Sequence, residues 1–315
     1  MNHGRNSSTP RAIDNAFRCR KTLGMNTRPL HAADGPAFPA VPLGFVRSAL
    51  FGVARHDAAA IVHQQPLAIS PLRGGKLTYS GPLLNQHHAL LWQAIVQAVA
   101  EAGPIDEQPF TASCDALLRA MGGKGNDTKQ RARVWSWLQD LVAARLEYST
   151  DAQDYAGPLV FEAARDKASG RLSLRLNPKL IRLLGNEVLR NDLARKAALG
   201  RNLLALWLHD YFASHLRPPP ETVETLRNWC GSPLALPQFR QRLRGALNQL
   251  AKGSCPLVVA WSIDRRDRLI VEKSATRVVI LPAGTAQAKQ AGALHHERAR
   301  ADVERAQNQR AHVAL

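Results

Sequence analysis

Cysteine is scarce in this 315-residue chain, which contains four cysteines. Cys19, Cys114, Cys230 and Cys255 form no CxxC pair and have no histidines at the spacing of zinc ligands. These absences argue against a zinc site and favour reduced thiols in a cytoplasm. We therefore predict no bound metal and no cofactor.

Long apolar runs are also missing. A membrane-spanning helix needs about 20 consecutive, predominantly apolar residues, and no stretch of the sequence approaches that length. Residues 1–21 contain basic side chains but no apolar run after them, so they do not match a secretion signal. We expect no membrane association and a cytoplasmic location.

Acidic residues are outnumbered. The 42 Lys and Arg against 25 Asp and Glu give a formal charge of +17 and a pI near 10.6. Such an excess predicts a polyanionic partner, although charge alone does not separate nucleic acid from an anionic membrane surface or an acidic protein. The 45% hydrophobic content is sufficient for the cores of two ordinary domains.

The patterns that mark enzymes are absent as well. The glycine-rich segment MGGKGNDT (121–128) lacks the Ser or Thr that follows the lysine of a phosphate-binding loop, so a connection between helices is expected there. The adjacent pairs His87-His88 and His295-His296 lack the spacing of the metal-binding histidines of a DNA-nicking enzyme. We predict that the chain has no catalytic activity.

The order of predicted elements repeats along the chain. Helical periodicity in three segments precedes two strand-like segments, which are joined by a charged turn. In the first copy these segments are residues 84–102, 111–123, 127–149, 158–164 and 170–178. In the second copy they are residues 201–215, 221–232, 236–253, 255–262 and 268–274.

A gapless shift of about 109 positions supports the repeat. It places Leu117 on Leu226, Gly122 on Gly231, Arg131 on Arg240, Arg133 on Arg242, Leu138 on Leu247 and Leu141 on Leu250. We predict two copies of one domain, at residues 45–190 and 191–282. Residues 1–44 are expected to form a disordered basic arm, and residues 283–315 a polar tail that is disordered or a solvated helix.

Three helices, of which the third is basic, followed by two strands is the element order of a winged helix-turn-helix domain. The expected fold class is α+β and mainly helical, with two tandem winged helix-turn-helix domains between flexible basic N- and C-terminal arms. In such domains the third helix enters the DNA major groove and the hairpin, called the wing, lies along the adjacent backbone.

The third helix of the second copy, LPQFRQRLRGALNQLAKG (236–253), contains no acidic residue. Phe239, Leu243, Ala246, Leu247 and Leu250 recur at helical spacing, so this face is predicted to pack inward. The opposite face and its margins carry Arg, Gln and Asn, which can pair with bases or hold phosphates. The predicted DNA contacts there are Gln238, Arg240, Gln241, Arg242, Arg244, Asn248 and Lys252.

The first copy and the two wings carry further predicted DNA contacts. In the third helix of the first copy these are Lys129, Arg131 and Arg133, with Arg131 nearer the buried edge. In the wings they are Arg165, Lys167, Arg171, Arg265, Arg266 and Arg268. A solvated basic face is the competing interpretation, and the lack of acidic residues in the second helix, together with the third-helix position in both copies, favours DNA.

Several segments resemble the TrfA-type plasmid replication initiators. They are RSALF (47–51), LTYSG (77–81), DYFASH (210–215), LRNWCGS (226–232) and VVAW (258–261), and the likeness covers about residues 45–275. The resemblance implies two winged-helix domains that bind direct repeats of double-stranded DNA, called iterons, in a plasmid origin. It further implies opening of adjacent DNA, recruitment of the host initiator, replicative helicase and polymerase clamp, and a monomer–dimer equilibrium.

One family feature is not found. The family's best-known member carries a clamp-binding segment of the Gln-Leu-Ser-Leu-Phe type ahead of its first domain. No such segment is found here, which argues against direct clamp binding. A winged-helix transcription regulator with no role in replication is the alternative, because it would use the same groove chemistry. A basic RNA-binding or membrane-surface protein is less favoured, since the apolar faces of the helices are already needed for a core.

Overall fold

The computed structural model describes residues 40–54, 61–67, 76–102, 108–125, 127–149, 154–183, 187–190, 193–252, 256–274 and 280–282. The predicted polar tail lies outside these residues, and so does the predicted basic arm up to residue 39. The last five residues of that arm, 40–44, are described. Residues 40–46 instead form a strand and a short helix.

The described residues contain nine helices and thirteen strands. The helices are α1 (Leu43–Val46), α2 (Gln86–Ala102), α3 (Cys114–Ala120), α4 (Thr128–Ala143), α5 (Pro178–Leu183), α6 (Leu193–Ala198), α7 (Leu203–Ala213), α8 (Val223–Trp229) and α9 (Leu236–Leu250). The strands are β1 (Ala40–Pro42), β2 (Ile61–Pro66), β3 (Lys76–Pro82), β4 (Phe110–Ser113), β5 (Arg145–Ser149), β6 (Asp154–Pro158), β7 (Val160–Arg165), β8 (Arg171–Leu176), β9 (Glu187–Arg190), β10 (Glu221–Thr222), β11 (Val258–Ile263), β12 (Arg268–Lys273) and β13 (Ile280–Pro282).

Two units share one topology. The first unit consists of α2, β4, α3, α4, β7 and β8, and its sheet has the antiparallel order β4-β8-β7. The second unit consists of α7, β10, α8, α9, β11 and β12, and its sheet has the order β10-β12-β11. In each unit a short strand before the second helix therefore pairs with the last strand of the hairpin.

Positions matched by the repeat play the same part in both units. Leu117 and Leu226 are buried in the second helix of their unit, and Leu138 and Leu247 are buried in the third. Gly122 and Gly231 both follow the second helix with positive φ, +84° and +63°, a conformation that glycine adopts without strain. A side chain at Gly122 would also collide with Ala197, because its Cβ would lie 2.4 Å from the Ala197 Cβ.

The expectation of a mainly helical chain is wrong. Strands form four sheets, and two of these were not predicted as sheets: β2-β3-β5-β6 and β1-β9-β13. The third helix of the first copy was predicted to reach residue 149, but α4 ends at Ala143 and residues 145–149 form β5. This strand pairs with β3 and β6 on either side, and such non-local pairing overrides local helical preference.

Buried side chains of both units belong to one continuous hydrophobic cluster. Every residue of α7 is buried, and this helix contacts α2 of the first unit as well as α9 of its own. A predominantly apolar helix that is buried on every side is expected at such a central position. Among the described residues, no helix has both the length and the apolar character needed to cross a membrane.

Candidate nucleic-acid interface

The predicted division of α9 into two faces is confirmed. Phe239, Leu243, Ala246, Leu247 and Leu250 are its buried residues, as the helical spacing required. The helix has no side-chain N-cap and instead carries a proline in its first turn, where the missing amide hydrogen has no helical partner to lose. Burial of one apolar face fixes which side chains the helix presents to solvent.

The opposite face of α9 is polar, basic and exposed. Gln241, Arg244 and Asn248 lie one above another, because their spacing of three and four residues follows the helical repeat. The exposed set predicted from the sequence is Gln238, Gln241, Arg242, Arg244, Asn248 and Lys252. No hydrogen bond or ion pair joins their side chains to another described residue, so these donors and acceptors are available to a ligand.

Arg240 differs from its neighbours because it is half-buried and already paired. Its Nε donates to Asp267 Oδ1 at 3.2 Å and its Nη2 donates to Asp267 Oδ2 at 2.7 Å, a bidentate arrangement. The hydrogen bond and charge of Asp267 raise the pKa of Arg240 above its usual value. The structure therefore commits this predicted DNA contact to an internal ion pair.

Asp267 lies in the turn of the second hairpin and holds that turn against two helices. Its carboxylate binds Arg240 of α9, and its carbonyl oxygen accepts from the Val223 amide at the start of α8 at 2.9 Å. Its φ is +59°, a left-handed conformation that Asp tolerates better than most residues. The hairpin turn is thus fixed in position beside the first turns of α9.

The same turn presents two of its three predicted arginines. Asp264 accepts hydrogen bonds from the amides of Arg266 and Arg268, each at 2.9 Å, and from Arg268 Nε at 2.9 Å. Hydrogen bonding from the Arg268 backbone, followed by its side chain, lowers the pKa of Asp264. Arg268 is consequently engaged within the turn, whereas Arg265 and Arg266 are exposed.

In the first unit, α4 repeats this division. Asp127 caps the helix by accepting from the amides of Lys129 at 2.8 Å and Gln130 at 3.2 Å. Lys129 and Arg133 are exposed, as predicted. Arg131 is half-buried and forms a bidentate ion pair with Asp115 of α3, in which its Nε lies 2.8 Å from Oδ1. The arginines matched by the repeat, Arg131 and Arg240, are therefore both held by a carboxylate.

The hairpin of the first unit contacts α4 through an arginine that lies over a tryptophan ring. The guanidinium carbon of Arg165 lies 4.8 Å from the centroid of the Trp135 ring, a cation–π geometry. Lys167 and Arg171 are exposed at and beside the turn. Between α4 and this turn lies an open cleft of about 320 Å³, whose charged lining residues are Arg131, Arg165, Asp166 and Lys167.

The sequence did not reveal which arginines are engaged internally. Three of them are bound by carboxylates: Arg131 by Asp115, Arg268 by Asp264 and Arg240 by Asp267. Arg165 lies over the ring of Trp135. The turn of the second hairpin contains two aspartates, Asp264 and Asp267, which bind Arg268 and Arg240. The pairings of Arg240 and Arg131 do not follow from sequence spacing, because their partners lie on other elements.

No protein-family model matches the chain. The plasmid replication initiator protein TrfA of Escherichia coli is 25% identical to it over 234 residues, which cover 71% of this chain and 59% of TrfA. The chain therefore spans about three fifths of the length of this curated relative.

Solved structures also show similarity. Two structures of domains 2 and 3 of RctB give TM-scores of 0.46 and 0.43, with 11% and 9% identity, and cover 76% and 67% of this chain and 95% and 84% of theirs. The WH1 domain of the replication protein MSBI1.176, isolated from a multiple sclerosis patient, gives 0.25 with 14% identity over 31% of this chain and 78% of its own. Likenesses at these scores do not establish a shared fold. The sequence comparison nevertheless confirms the resemblance indicated by the motifs, and this chain is similar to the plasmid replication initiator TrfA over 71% of its length.

Proposed function

We propose that this protein binds double-stranded DNA through two tandem winged-helix domains, which are the two units of the fold, and thereby initiates replication of a plasmid. The observation that carries the proposal is the exposed face of α9, which offers Arg, Gln and Asn side chains without an acidic residue. This face lies next to a hairpin turn with two exposed arginines. The shared sheet order of both units supports the domain assignment.

In this proposal α9 enters the major groove, which is about 12 Å wide and admits an α-helix. Arg244 can pair bidentately with guanine, and Gln241 and Asn248 can pair with adenine. Arg265 and Arg266 hold phosphates of the adjacent backbone, because their turn is fixed beside the first turns of α9 by Asp267. Arg240 contributes indirectly, since it positions the hairpin and does not itself contact a base.

The first unit is proposed to hold the DNA backbone more than it reads bases. The repeat places Trp135 where the second unit has Arg244, and Trp135 is covered by Arg165. The exposed cations that remain are Lys129, Arg133, Lys167 and Arg171. These four predicted contacts are all cations, which can hold phosphates, and phosphate contacts position a protein without specifying sequence.

Replication is proposed on the strength of the similarity to TrfA, whose name states that it is a plasmid replication initiator. The DNA target is then a set of direct repeats in a plasmid origin, and origin opening and recruitment of the host initiator and replicative helicase complete the role. Clamp contact and a monomer–dimer equilibrium stay predictions of the resemblance.

Two experiments test the proposal in sequence. The first is selection of bound duplexes from a random-sequence library, followed by footprinting of the chain on the DNA that flanks its gene. We expect one enriched motif and protected direct repeats that contain it. Binding without any sequence preference, or a footprint without repeats, contradicts the proposal.

The second experiment separates replication from transcriptional regulation. A plasmid whose native origin is replaced by this gene and its flanking repeats is introduced into a host that cannot otherwise maintain it. Maintenance supports the proposed role, and its loss with the double variant Gln241→Ala/Arg244→Ala ties it to α9. Specific repeat binding without plasmid maintenance would indicate a regulator.

A further inference from the structure

A bridging segment, residues 45–54, lies between the two units. On the side of the first unit, Phe45 packs edge-on against Trp92 of α2 with ring centroids 5.0 Å apart. The Phe51 carbonyl oxygen accepts from Gln86 Nε2 at 2.5 Å, and the Gly52 amide donates to the Leu84 carbonyl oxygen at 3.0 Å. Gln86 is the first residue of α2, and Leu84 lies two residues before it.

The same segment is bonded to the second unit. The Val53 amide donates to the Cys230 carbonyl oxygen at 3.0 Å, and Trp207 Nε1 donates to the Ser48 carbonyl oxygen at 3.2 Å. Arg47 Nε donates to Ser214 Oγ at 2.9 Å. The backbone passes closely between the units, because a Cβ at Gly52 would lie 3.5 Å from the Cys230 carbonyl oxygen.

A buried polar group joins the units at a second place. Lys196 of α6 donates from Nζ to Gln93 Oε1 at 2.7 Å and to Asp210 Oδ2 at 2.6 Å. Gln93 belongs to α2 of the first unit and Asp210 to α7 of the second, and Gln93 Nε2 donates to Asp210 Oδ2 at 3.1 Å. All three residues are buried.

These contacts favour a single arrangement of the two units. A buried charge is tolerated only when it is paired and hydrogen-bonded. A displacement of α2 relative to α7 by the length of a hydrogen bond would separate Gln93 from Asp210, and Lys196 of α6 could then keep only one of its two buried partners. Domains within one chain ordinarily move relative to each other when their interface is small and polar, and this interface combines a shared apolar core with a satisfied polar group.

We propose that the bridging segment and the Lys196–Asp210–Gln93 group lock the two units into one rigid body, so that the spacing between α4 and α9 becomes part of what the protein recognises. Arg47, Gln93, Lys196 and Asp210 are then positioning residues for DNA recognition. This inference rests on the proposed function, because it concerns the DNA contacts of both units. The rigid coupling of the two units, by contrast, can be tested without DNA.

The consequence for DNA is a dependence on the spacing of the two contact patches. One turn of the duplex is about 10 to 10.5 bp, so an insertion of half a turn moves one contact patch to the opposite side of the helix. A rigid pair of units then loses the contacts of one unit. Units joined flexibly could rotate and keep both.

A distance measurement without DNA tests rigidity. Spin labels are placed on the exposed positions Ser173→Cys and Ser262→Cys, one in each hairpin, with Cys19 and Cys255 changed to serine. Cys114 and Cys230 are buried and can remain. The expected result is one narrow distribution of inter-label distances by pulsed electron spin resonance, and a broad distribution overturns the proposal.

The coupling residues are tested by Lys196→Met, which removes the buried cation, and by Arg47→Ala, which detaches the bridging segment from Ser214 without emptying the core. Lys179→Met is the control, because Lys179 is exposed in α5. We expect the narrow distribution to be lost in Lys196→Met or Arg47→Ala and kept in Lys179→Met. Circular dichroism checks that each variant is folded, and Arg47→Ala decides the question if Lys196→Met is not. If the double variant Arg47→Ala/Lys196→Met is folded and keeps the narrow distance distribution, the assignment of these residues is wrong.

The DNA test uses the duplex selected from the random library, with insertions of about 5 and about 10 bp between the two protected patches. The wild-type chain is expected to lose at least about tenfold in affinity with the half-turn insertion, since one of two linked contacts is lost. It should lose a similar amount with the full-turn insertion, because a rigid pair of units cannot follow a patch that is displaced along the duplex by one turn, about 34 Å. Arg47→Ala should reduce the loss of affinity that the insertions cause. Equal binding of all duplexes by the wild type overturns the spacing claim. Failure to select any duplex contradicts the proposed function, whereas the distance measurement still decides whether the units are coupled.

Discussion

Arg244 gives the sharpest test of the α9 interface. Its side chain is exposed on the face opposite the buried Leu243 and Leu247, and no other described residue is bonded to it. Replacing it by alanine removes no internal contact and suits the helix, since alanine is the best helix former. The free energy of unfolding should therefore change by less than about 0.5 kcal/mol. Any loss of DNA affinity in Arg244→Ala then reports the contact itself.

The size of that loss depends on what Arg244 touches. A bidentate contact to guanine is worth about 1–3 kcal/mol, which corresponds to roughly 5- to 150-fold in Kd. The loss should be confined to duplexes with the preferred base at one position, and selectivity there should relax. A phosphate contact would instead weaken all duplexes alike and reduce the slope of log K against log salt by about 1.

Fluorescence anisotropy with the selected duplex, and with single-position variants of it, measures both outcomes. Arg217→Ala is a matched control, because Arg217 is exposed and lies away from the α9 face. Its position is given by the nearby His215, whose carbonyl oxygen accepts from Lys273 Nζ at 2.6 Å. Lys273 ends β12, far from the hairpin turn that faces α9. If Arg244→Ala and Arg217→Ala bind every duplex with the same affinity as the wild type, α9 is not the reading helix.

Four further predictions concern residues that the structure shows to be paired or exposed. Lys196→Met should lower the free energy of unfolding by about 3–5 kcal/mol in urea titrations, because it leaves Asp210 buried and charged, and Lys196→Met/Asp210→Leu should regain much of it. Burial raises the pKa of Asp210, but the Lys196 charge and hydrogen bonds from His209 and Lys196 outweigh burial and bring it to about 2. Because this pKa is depressed in the folded state, ionised Asp210 should add on the order of 2 kcal/mol to the free energy of unfolding above pH 4. This contribution should be lost as the pH falls from about 4 to 2. Urea titrations at pH 5 and pH 3 should show the change in the wild type and not in Asp210→Asn. Arg240→Ala and Asp267→Ala should lower the urea midpoint by similar amounts that are not additive in the double variant, while base selectivity is kept; altered selectivity in Arg240→Ala would show direct reading. Arg265→Ala should weaken binding uniformly and reduce the salt slope by about 1, and an unchanged slope would remove it from the interface.

The helical pattern alone was enough to predict the two faces of α9. Apolar residues at steps of three and four must share a face and must be buried, so the positions directly opposite them are exposed. The same local logic applies to α4, in which Val134, Leu138 and Leu141 are the buried residues at helical spacing. The repeat of elements was also predictable, because each copy carries its own pattern and its own glycine after the second helix.

Individual arginines could not be assigned in this way. Arg240, Arg242 and Arg244 look alike in the sequence, yet Arg240 is bound to Asp267, which lies 27 residues away on the hairpin turn. Whether a surface cation is free or paired depends on which element folds back beside it. The helical wheel holds no information about that neighbour.

The sequence by itself thus determined which residues of the repeated helices are buried and which polar positions lie opposite them, because burial within a helix follows from a local period. Only the tertiary structure decided the extra sheet built on β3 and β5, the internal pairing of Arg131 and Arg240, and the placement of residues 45–54 between the units. Arg47 meets Ser214 across 167 positions and Lys196 meets Gln93 across 103. Contacts over such separations arise from the packing of whole elements, and local sequence patterns do not encode them.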